Sequence, residues 1–461
     1  MTEPFDDPLR SALFTDLYEL TMAQAYDAEG FDGIAHFELF FRSLPPNRNF
    51  VMAAGLDDVL AYLEALRFTE SDIDYLRRQR KFADDFLDRL RDVRFTGDVD
   101  AVPEGTLVFP DEPLVRVSAP ILAAQLVETF VLNQVNFQSI AATKAARVML
   151  AARGRTVVDF GSRRAHGADA ALKVARASWL AGAAGTSNVL AGKRYGIPTF
   201  GTMAHSYIQA HDDEFRAFEV FARQFPETTL LVDTFDTLDG VRRVIVLRDR
   251  LGDDFRVQAV RLDSGDLARL AKASRKLLDE AGLRSVRIFA SSGLDEYRIA
   301  RLLDAGAPID GFGVGTGLAV SDDAPALDTA YKLVEYAGRP RTKLSAEKVL
   351  HPGRKQVFRT VRDGLLAGDT IGRFDEDLPG ELLLVPMMRG GQRLPAGRVP
   401  LAEVRERARR ELEQLPEPLR ALESAREPYP VEFSAELERE LEALRRERGV
   451  SPPSPPGSGS Q

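Results

Sequence analysis

Residues 157–206 read VVDFGSRRAHGADAALKVARASWLAGAAGTSNVLAGKRYGIPTFGTMAHS. In this stretch two apolar, strand-like runs stand directly ahead of loops built from glycine, paired arginine and a single histidine. A parallel α/β enzyme keeps its active site in such loops, because the carboxyl ends of its strands converge on one crevice. The stretch therefore predicts a parallel α/β protein with its active site in these loops.

From this stretch onward, apolar strand candidates recur at spacings of roughly 25 to 40 residues. Helical segments such as GDLARLAKASRKLLDEAG and DEYRIARLLDAG lie between most of them. Repeated strand–helix units of this length are typical of a parallel sheet or barrel, and the number of candidates favours a closed or nearly closed α/β barrel over residues 121–345. The candidate strands are 156–160, 197–200, 229–233, 257–263, 286–290, 310–314 and 330–334.

The two flanks have a different texture. Residues 1–120 predict an N-terminal helix followed by short strands broken by proline and glycine, the pattern of a small antiparallel sheet domain. Residues 346–450 predict hairpin strands and charged helices that pack back on the N-terminal domain. The last segment, 451–461, reads SPPSPPGSGSQ and is expected to be a disordered, inert tail, although a short docking segment is the alternative.

Composition excludes several classes of function. The chain has 461 residues with 70 acidic and 61 basic side chains, a formal charge of −9, so it has no general attraction to nucleic acid or to anionic membranes. No apolar run approaches the roughly 20 residues that span a bilayer, and the N-terminus does not look like a signal peptide, so we expect a cytoplasmic protein. Cysteine is absent, which excludes disulfides and thiolate chemistry, and the five histidines form no HxxxH pair.

Two loops in the opening stretch carry candidate chemistry. The paired Arg163 and Arg164 follow VVDF, where a guanidinium can hold a carboxylate or phosphate in a bidentate grip; a solvated loop with a salt bridge is the alternative. His205 lies in the Gly-led loop after IPTF and is a candidate base or nucleophile, although a lone histidine is more often structural.

Polar residues also follow the later strand candidates. Asp233 and Asp236 end a buried run, where they either bind Mg²⁺ or ribose hydroxyls or cap a helix. Arg261 and Asp263 alternate on a strand end, and an arginine facing into a barrel is costly unless it meets an anion. The sequences SSG at 291–293 and GVGTG at 313–317 offer backbone N–H groups to phosphate. The pocket is therefore expected to hold a polyanionic phosphosugar and an aromatic or acidic small molecule, with Mg²⁺ as a further candidate.

The chain resembles the nicotinate phosphoribosyltransferase family, one of the type II phosphoribosyltransferases. The resemblance runs from residue 15 to residue 335 and is carried by TDLYELTMAQAY, FELFFRSLPPNRNF, NFQSIAATKAARV, DFGSRRAHG, GTSNVLAGKRYGIPTFGTMAHS, LLVDTFDT, VRLDSGDL, GVGTGL and YKLVE. It implies an irregular, TIM-like α/β barrel with a second, smaller, mostly antiparallel sheet domain, in a homodimer.

The resemblance also implies a reaction and its residues. Nicotinate and phosphoribosyl pyrophosphate would give nicotinate mononucleotide and pyrophosphate, with Mg²⁺ as cofactor and with ATP as co-substrate, either obligatory or stimulatory. The implied phosphohistidine is His205, with Arg261 and Asp263 as the other catalytic residues; Mg²⁺ would lie near Asp233 and Asp263, and Tyr18 would reach the site across the dimer. The implied nicotinate-binding residues are Tyr18, Phe160, Arg163, Thr202 and Arg261, and those for phosphoribosyl pyrophosphate are Asp233, Ser292, Gly293, Gly315 and Thr316.

Two rival interpretations remain open. Another enzyme of the same fold would use nicotinamide, which offers no charge to an arginine, or quinolinate, which needs a further basic cluster. A catalytically silent ligand-binding protein on the same barrel is the alternative from another class.

Overall fold

The computed structural model describes residues 11–345 and 349–450. They form two compact units. One takes the residues up to Ile140 together with those from Ala326 onward, and the other takes Ala141–Pro325. The sequence had predicted domain boundaries at 120/121 and 345/346, whereas the two units divide at 140/141 and 325/326. The predicted tail, 451–461, lies outside the described residues.

The first unit begins with helices and short strands. Its helices bury apolar residues at helical spacing, as Leu56, Val59, Leu60 and Leu63 do on the second helix. The elements are α1 (Leu17–Ala28), β1 (Ile34–Phe41), β2 (Val51–Met52), α2 (Leu56–Ala65), α3 (Glu70–Arg78), α4 (Asp84–Leu90), β3 (Asp98–Ala101), β4 (Leu107–Val108), β5 (Val115–Pro120), α5 (Ile121–Leu126) and α6 (Glu128–Ala152), which continues into the second unit.

The second unit alternates strands and helices. Its elements are β6 (Thr156–Asp159), α7 (Ala168–Leu180), β7 (Gly185–Thr186), α8 (Val189–Tyr195), α9 (His205–Gln209), α10 (Glu214–Gln224), β8 (Thr229–Leu231), α11 (Thr237–Leu251), β9 (Ala259–Leu262), α12 (Leu267–Glu280), β10 (Arg287–Ala290), α13 (Glu296–Asp304), β11 (Gly311–Val314) and α14 (Thr316–Val320). Within the described residues these strands form one parallel sheet in the order β7-β6-β11-β10-β9-β8. Strand β11 is buried along its whole length, as expected for a parallel strand covered on both faces.

The remaining elements return to the first unit. They are β12 (Thr329–Tyr336), β13 (Arg339–Pro340), β14 (Lys355–Arg362), β15 (Leu365–Arg373), β16 (Glu381–Leu382), β17 (Val385–Arg389), β18 (Gln392–Arg393), α15 (Leu401–Gln414), β19 (Val431–Phe433) and α16 (Ala435–Glu447). Strand β12 pairs with β1 and strand β17 with β3, both antiparallel, in a described sheet of order β13-β12-β1-β5-β3-β17-β18. N-terminal and C-terminal segments therefore share one sheet and one apolar core, in which Tyr62 stacks on Phe130 with ring centroids 3.9 Å apart.

The predicted fold class is confirmed: a parallel α/β sheet and a separate antiparallel sheet domain are both present. The barrel is a half-barrel, since the described sheet runs from β7 to β8 without pairing between these two strands. Two of the predicted barrel strands were wrong. Residues 330–334 lie in β12 of the antiparallel sheet, and residues 197–200 make only the isolated bridge of Thr199 to Thr186. No helix in the described part of the chain is long and apolar enough to span a membrane.

Candidate active site

A cavity of about 310 Å³ lies in the second unit, where the carboxyl ends of the parallel strands meet. Residues after β6, β7 and β9 and the last residue of β8 contribute to it, because strand ends of a parallel sheet point to the same edge. The sequence-predicted residues that line this cavity are Phe160, Arg163, Thr202, His205, Arg261 and Asp263.

Arg261 is the centre of the polar side of this cavity. Its Nε donates to Ser291 Oγ (2.8 Å), and its two terminal nitrogens donate to Thr202 Oγ1 (3.1 Å) and Asp263 Oδ1 (2.8 Å). Its guanidinium carbon lies 5.3 Å from the centre of the Phe160 ring. The hydrogen bonds occupy every nitrogen of the side chain, so the guanidinium is held in one orientation before any ligand arrives.

Asp263 is ionised in this setting. Burial raises the pKa of its carboxyl, but the hydrogen bond from Ser291 and the positive charge of Arg261 outweigh burial and leave the pKa below its ordinary value. The second oxygen, Oδ2, lies 3.7 Å from His205 Nε2. A fixed carboxylate therefore stands between the arginine and the histidine.

Asp233 has one satisfied and one unsatisfied oxygen. Its Oδ2 accepts from the backbone N–H of Asp263 (2.9 Å) and from Ser264 Oγ (2.5 Å). Its Oδ1 is buried and has no hydrogen-bond partner among the described residues. A buried carboxylate oxygen without a donor is a place for a ligand hydroxyl or a cation. The nearby Asp236 instead accepts the N–H of Asp239 and caps α11, which confirms the capping alternative for that residue.

His205 begins α9 and is held by two polar groups. Its Nδ1 is 3.1 Å from Thr234 Oγ1, while its Nε2 faces Asp263. The side chain is 40% exposed, so the ring is oriented by its partners and still open to the cavity. That combination suits a nucleophile that must meet a phosphate.

Hydrogen bonds to the buried carboxylate of Asp159 hold the start of the loop that carries Arg163. Asp159 Oδ1 accepts the N–H of Gly161 (2.7 Å) and Oδ2 accepts the hydroxyl of Thr186 (2.7 Å); burial raises the pKa of this carboxyl. A Cβ at Gly161 would lie 2.7 Å from that of Ala319, so only glycine fits the turn. Arg163 itself is exposed and has no hydrogen-bond partner among the described residues.

The remaining predicted phosphosugar residues lie at the same edge of the sheet but do not line this cavity. Ser292 and Gly293 follow β10, and Gly315 and Thr316 follow β11. Ser292 has a φ of 83°, a conformation rare for a residue with a side chain, and such strain concentrates at functional loops. The loops therefore present backbone groups beside the cavity.

Tyr18, the remaining residue predicted to bind nicotinate, belongs to the first unit. It lies on α1 in the first unit with 45% of its surface exposed. Burial of its ring and the nearby Glu128 both raise the pKa of its phenol, which keeps it neutral.

Several contacts that build the site were missed by sequence reasoning. Ser291 bridges Arg261 and Asp263, Thr234 orients His205, and Asp159 with Thr186 supports the arginine loop. The sequence had marked Ser291 as part of the SSG loop for phosphate, and the structure shows it as the partner of Arg261 and Asp263. Within the described residues no group of three or more His, Cys, Asp or Glu side chains is arranged to hold a metal ion.

Comparisons with known proteins agree along most of the chain. Residues 13–136 match the model of the nicotinate phosphoribosyltransferase N-terminal domain, and residues 156–361 match that of the nicotinate phosphoribosyltransferase family. The chain is 62% identical to nicotinate phosphoribosyltransferase pncB2 of Mycobacterium tuberculosis over 94% of each chain. It is 45% identical to the nicotinate phosphoribosyltransferase of Bacillus subtilis over 81% of this chain and 78% of that one. The crystal structure of human nicotinic acid phosphoribosyltransferase superposes with a TM-score of 0.83, at 31% identity over 93% of this chain and 99% of the human chain.

Proposed function

The chain belongs to the nicotinate phosphoribosyltransferase family, and we infer that it joins nicotinate to phosphoribosyl pyrophosphate, forming nicotinate mononucleotide and releasing pyrophosphate. This is the first step in the salvage of nicotinate to NAD. The chain is thus an enzyme, a glycosyltransferase that also acts as a ligase where ATP is consumed.

The observation that carries the assignment to this cavity is the set of contacts around Arg261. One guanidinium touches an aromatic ring, a hydroxyl and an ionised carboxylate on the cavity wall. This arrangement suits a planar, anionic ring that must be held against a phosphosugar. Phe160 and Thr202 would contact the nicotinate ring on the side of Arg261.

Arg163 is the arginine available to the nicotinate carboxylate. Every nitrogen of Arg261 already has a partner in the protein, whereas Arg163 is exposed on the cavity wall and makes no hydrogen bond within the described residues. A bidentate pair between guanidinium and carboxylate would select nicotinate over nicotinamide, because the amide of nicotinamide carries no negative charge.

The phosphosugar end would use the loops after β8 to β11. Asp233, with its unpaired Oδ1, and Asp263 would orient ribose hydroxyls, while Gly315, Thr316, Ser292 and Gly293 would hold phosphate oxygens by backbone and hydroxyl donors. The transition state is oxocarbenium-like, so the protein's task is to place the ring nitrogen in line with the departing pyrophosphate and to stabilise that leaving group.

Mg²⁺ fits the carboxylates of Asp233 and Asp263. Two neighbouring carboxylates, one with a buried free oxygen, match the usual binding of Mg²⁺ by one or two carboxylates, with water and substrate phosphates as the other ligands. When bound there, the ion would neutralise charge on pyrophosphate. Asp233 and Asp263 are the residues that would hold it.

ATP would be used through His205. A ring nitrogen attacks the γ-phosphorus, its bond to phosphorus forms as the bond to ADP breaks, and water later releases the phosphate. The added charge lies beside Asp263, and so it couples ATP to the cation and phosphosugar pocket.

The quaternary structure and location are part of the same proposal. Tyr18, exposed on the first unit, would stack on the nicotinate bound to a second copy of the chain in a homodimer. The expected location is the cytoplasm, where its phosphorylated substrates are made.

Substrate selectivity of Arg163→Gln tests the assignment of the carboxylate site. We expect the KM for nicotinate to rise about tenfold or more, because a charged hydrogen-bonded pair is lost, with the KM for phosphoribosyl pyrophosphate unchanged. Arg164→Gln is the matched control, since Arg164 is the adjacent exposed arginine and does not line the cavity. Equal effects of the two variants would remove Arg163 from the site. Turnover of nicotinamide in preference to nicotinate by the wild-type protein would instead favour the nicotinamide alternative.

A further inference from the structure

A buried ion network in the second unit lies behind the loops assigned to the phosphosugar. Lys144 Nζ on α6 is 2.7 Å from Glu296 Oε2 and 2.8 Å from Asp323 Oδ1. One helical turn further, Arg147 Nε lies 2.9 Å from Glu296 Oε1 and its terminal nitrogen donates to Tyr297 Oη. The side chains of Lys144, Arg147 and Glu296 are at most 2% exposed.

The two carboxylates of the network each follow one of the loops assigned to the phosphosugar. Glu296 is the first residue of α13, directly after the loop that contains Ser292 and Gly293. Asp323 follows α14, the short helix that begins at Thr316. Lys144 therefore links α13, which follows one phosphate loop, to the turn after α14, which follows the other, and it does so from α6, which carries neither loop.

The two loops also touch each other. A Cβ at Gly317 would lie 3.0 Å from the carbonyl oxygen of Leu294, so α14 and the loop before α13 are in close contact. The turn at Asp323 is closed by Ser321, whose hydroxyl donates to the carbonyl of Ala324 (2.9 Å). A change in the position of one loop must therefore move the other.

Burying two cations with the single carboxylate of Glu296, while Asp323 stays partly exposed, adds little to the stability of the fold. Desolvation of buried charges offsets most of their attraction, and apolar residues of similar size often stabilise as well or better. The best-attested use of such groups is to fix one arrangement of elements among several. Here the arrangement fixed is that of the loops after β10 and β11.

We propose that Lys144 is a positioning residue for the phosphosugar: it ties Glu296 to Asp323 and so sets the spacing between the two loops that grip the phosphates. The proposal rests on the proposed function of those loops. It assigns no contact between Lys144 and a substrate, since the side chain is buried behind them.

The test is Lys144→Met, which keeps the length of the side chain and removes its charge. We expect the KM for phosphoribosyl pyrophosphate to rise about tenfold while the KM for nicotinate changes by less than about twofold. Calorimetric titration of the protein with phosphoribosyl pyrophosphate, in buffer that contains MgCl₂ and no nicotinate, should show the same loss of affinity. Lys173→Met is the matched control, because Lys173 is a buried lysine of the same unit whose partner, Asp169, lies on its own helix.

Two further arms keep the test decisive. If Lys144→Met does not fold, Asp323→Asn removes only the ion pair between Lys144 and Asp323. The Asp323 side chain is 32% exposed, so the amide of the variant stays solvated. The KM for phosphoribosyl pyrophosphate is then expected to rise about threefold. Unchanged KM values, or equal rises for both substrates, would overturn the proposal. A wild-type protein that neither binds nor turns over phosphoribosyl pyrophosphate would instead overturn the proposed function.

Discussion

Arg261 illustrates how this site is prepared at the level of single residues. An arginine on the inner end of a strand is expensive unless an anion meets it, and the structure supplies that anion from two residues along the same chain, at Asp263. Ser291 then ties both side chains together from the next strand. The substrate therefore meets a charged pair already fixed in place, rather than organising one on arrival.

The carboxyl of Asp263 predicts a pH dependence of stability. Its pKa in the folded chain lies below the ordinary value of 3.8, so the contribution of ionised Asp263 is complete above that value and is lost as pH falls through the lower, folded pKa. Asp263→Asn should therefore be less stable than the wild type at pH 7 and should approach it below pH 3.8. Urea unfolding at pH 7, 5 and 3.5 measures this. A difference that grows on acidification would have the wrong sign for the account.

His205 predicts a separation of two activities. His205→Ala should lose ATP hydrolysis by at least about a hundredfold, together with all stimulation by ATP, because the nucleophile is gone. Weak transferase activity should persist, since the contacts of Arg261 do not depend on the imidazole. His166→Ala is the control, because His166 lies in the loop that carries Arg163 and does not line the cavity. ATP hydrolysis by His205→Ala at the wild-type rate would disprove the phosphohistidine assignment.

The residues that the sequence revealed are those whose chemistry is visible in one segment. Arg261 was marked by its cost in a strand, and His205 by a glycine-led loop within a recognisable motif. The contacts of Ser291 with Arg261 and of Thr234 with His205 were not predicted, because a serine or threonine gains such a role only from what the adjacent strand places beside it. Such pairings depend on strand order, which a single sequence does not contain.

Strand β11 controls the cavity at the level of an element. A Cβ at Gly313 would lie 2.5 Å from the ring of Phe160, so this strand must be bare there for the ring to stand under Arg261. Gly313→Ala should displace the ring, raise the KM for nicotinate and cost about 1–3 kcal/mol of stability through overpacking. Steady-state kinetics and thermal unfolding measure the two effects.

A second substitution makes the Gly313 prediction specific. In a Phe160→Leu background the smaller side chain should accept the new methyl group. The double variant should therefore lose less stability than the two single variants lose together. Strict additivity would mean that Gly313 acts on some other neighbour.

The ion pairs of Arg359 link β14, β15 and α15 in the first unit. Its side chain, about 1% exposed, forms a bidentate pair with Asp369 of β15 and a further ion pair with Glu411 of α15. Arg359→Met leaves buried carboxylates unpaired and should destabilise the fold by about 3–5 kcal/mol in urea unfolding. Arg373→Met is the control, because Arg373 pairs with Asp375 near the surface and its loss should cost less than about 1 kcal/mol. Similar costs for both would contradict the weight given to burial.

Element-level prediction from the sequence succeeded where period and length agreed. Helices such as α2 and α12, and strands such as β6, β9 and β11, were located because apolar spacing and turn residues pointed the same way. Strand β12 was assigned to the barrel because residues 330–334, AYKLV, are mostly apolar and follow the series of barrel strands along the chain. Its antiparallel partner, β1, lies almost 300 residues earlier, and only the fold reveals that pairing.

The predicted homodimer can be tested at the scale of the whole molecule. If Tyr18 completes the site of a second copy, then Tyr18→Ala and Arg261→Ala proteins should complement one another after subunit exchange. Random exchange makes half of the dimers mixed, each with one intact site, so about a quarter of the wild-type sites should return. Activity measured before and after mixing gives the answer. No recovery, with exchange verified by tagged subunits, would place Tyr18 in the site of its own chain or outside any site.

The central claim is that this cavity transfers a phosphoribosyl group to nicotinate, with ATP acting through His205. The measurement that tests it most directly is product formation by the purified protein with phosphoribosyl pyrophosphate and Mg²⁺, given either nicotinate or nicotinamide, with and without ATP. The account predicts nicotinate mononucleotide, formed faster when ATP is present, and little or no product from nicotinamide. Turnover of nicotinamide alone, or of neither substrate, would contradict it.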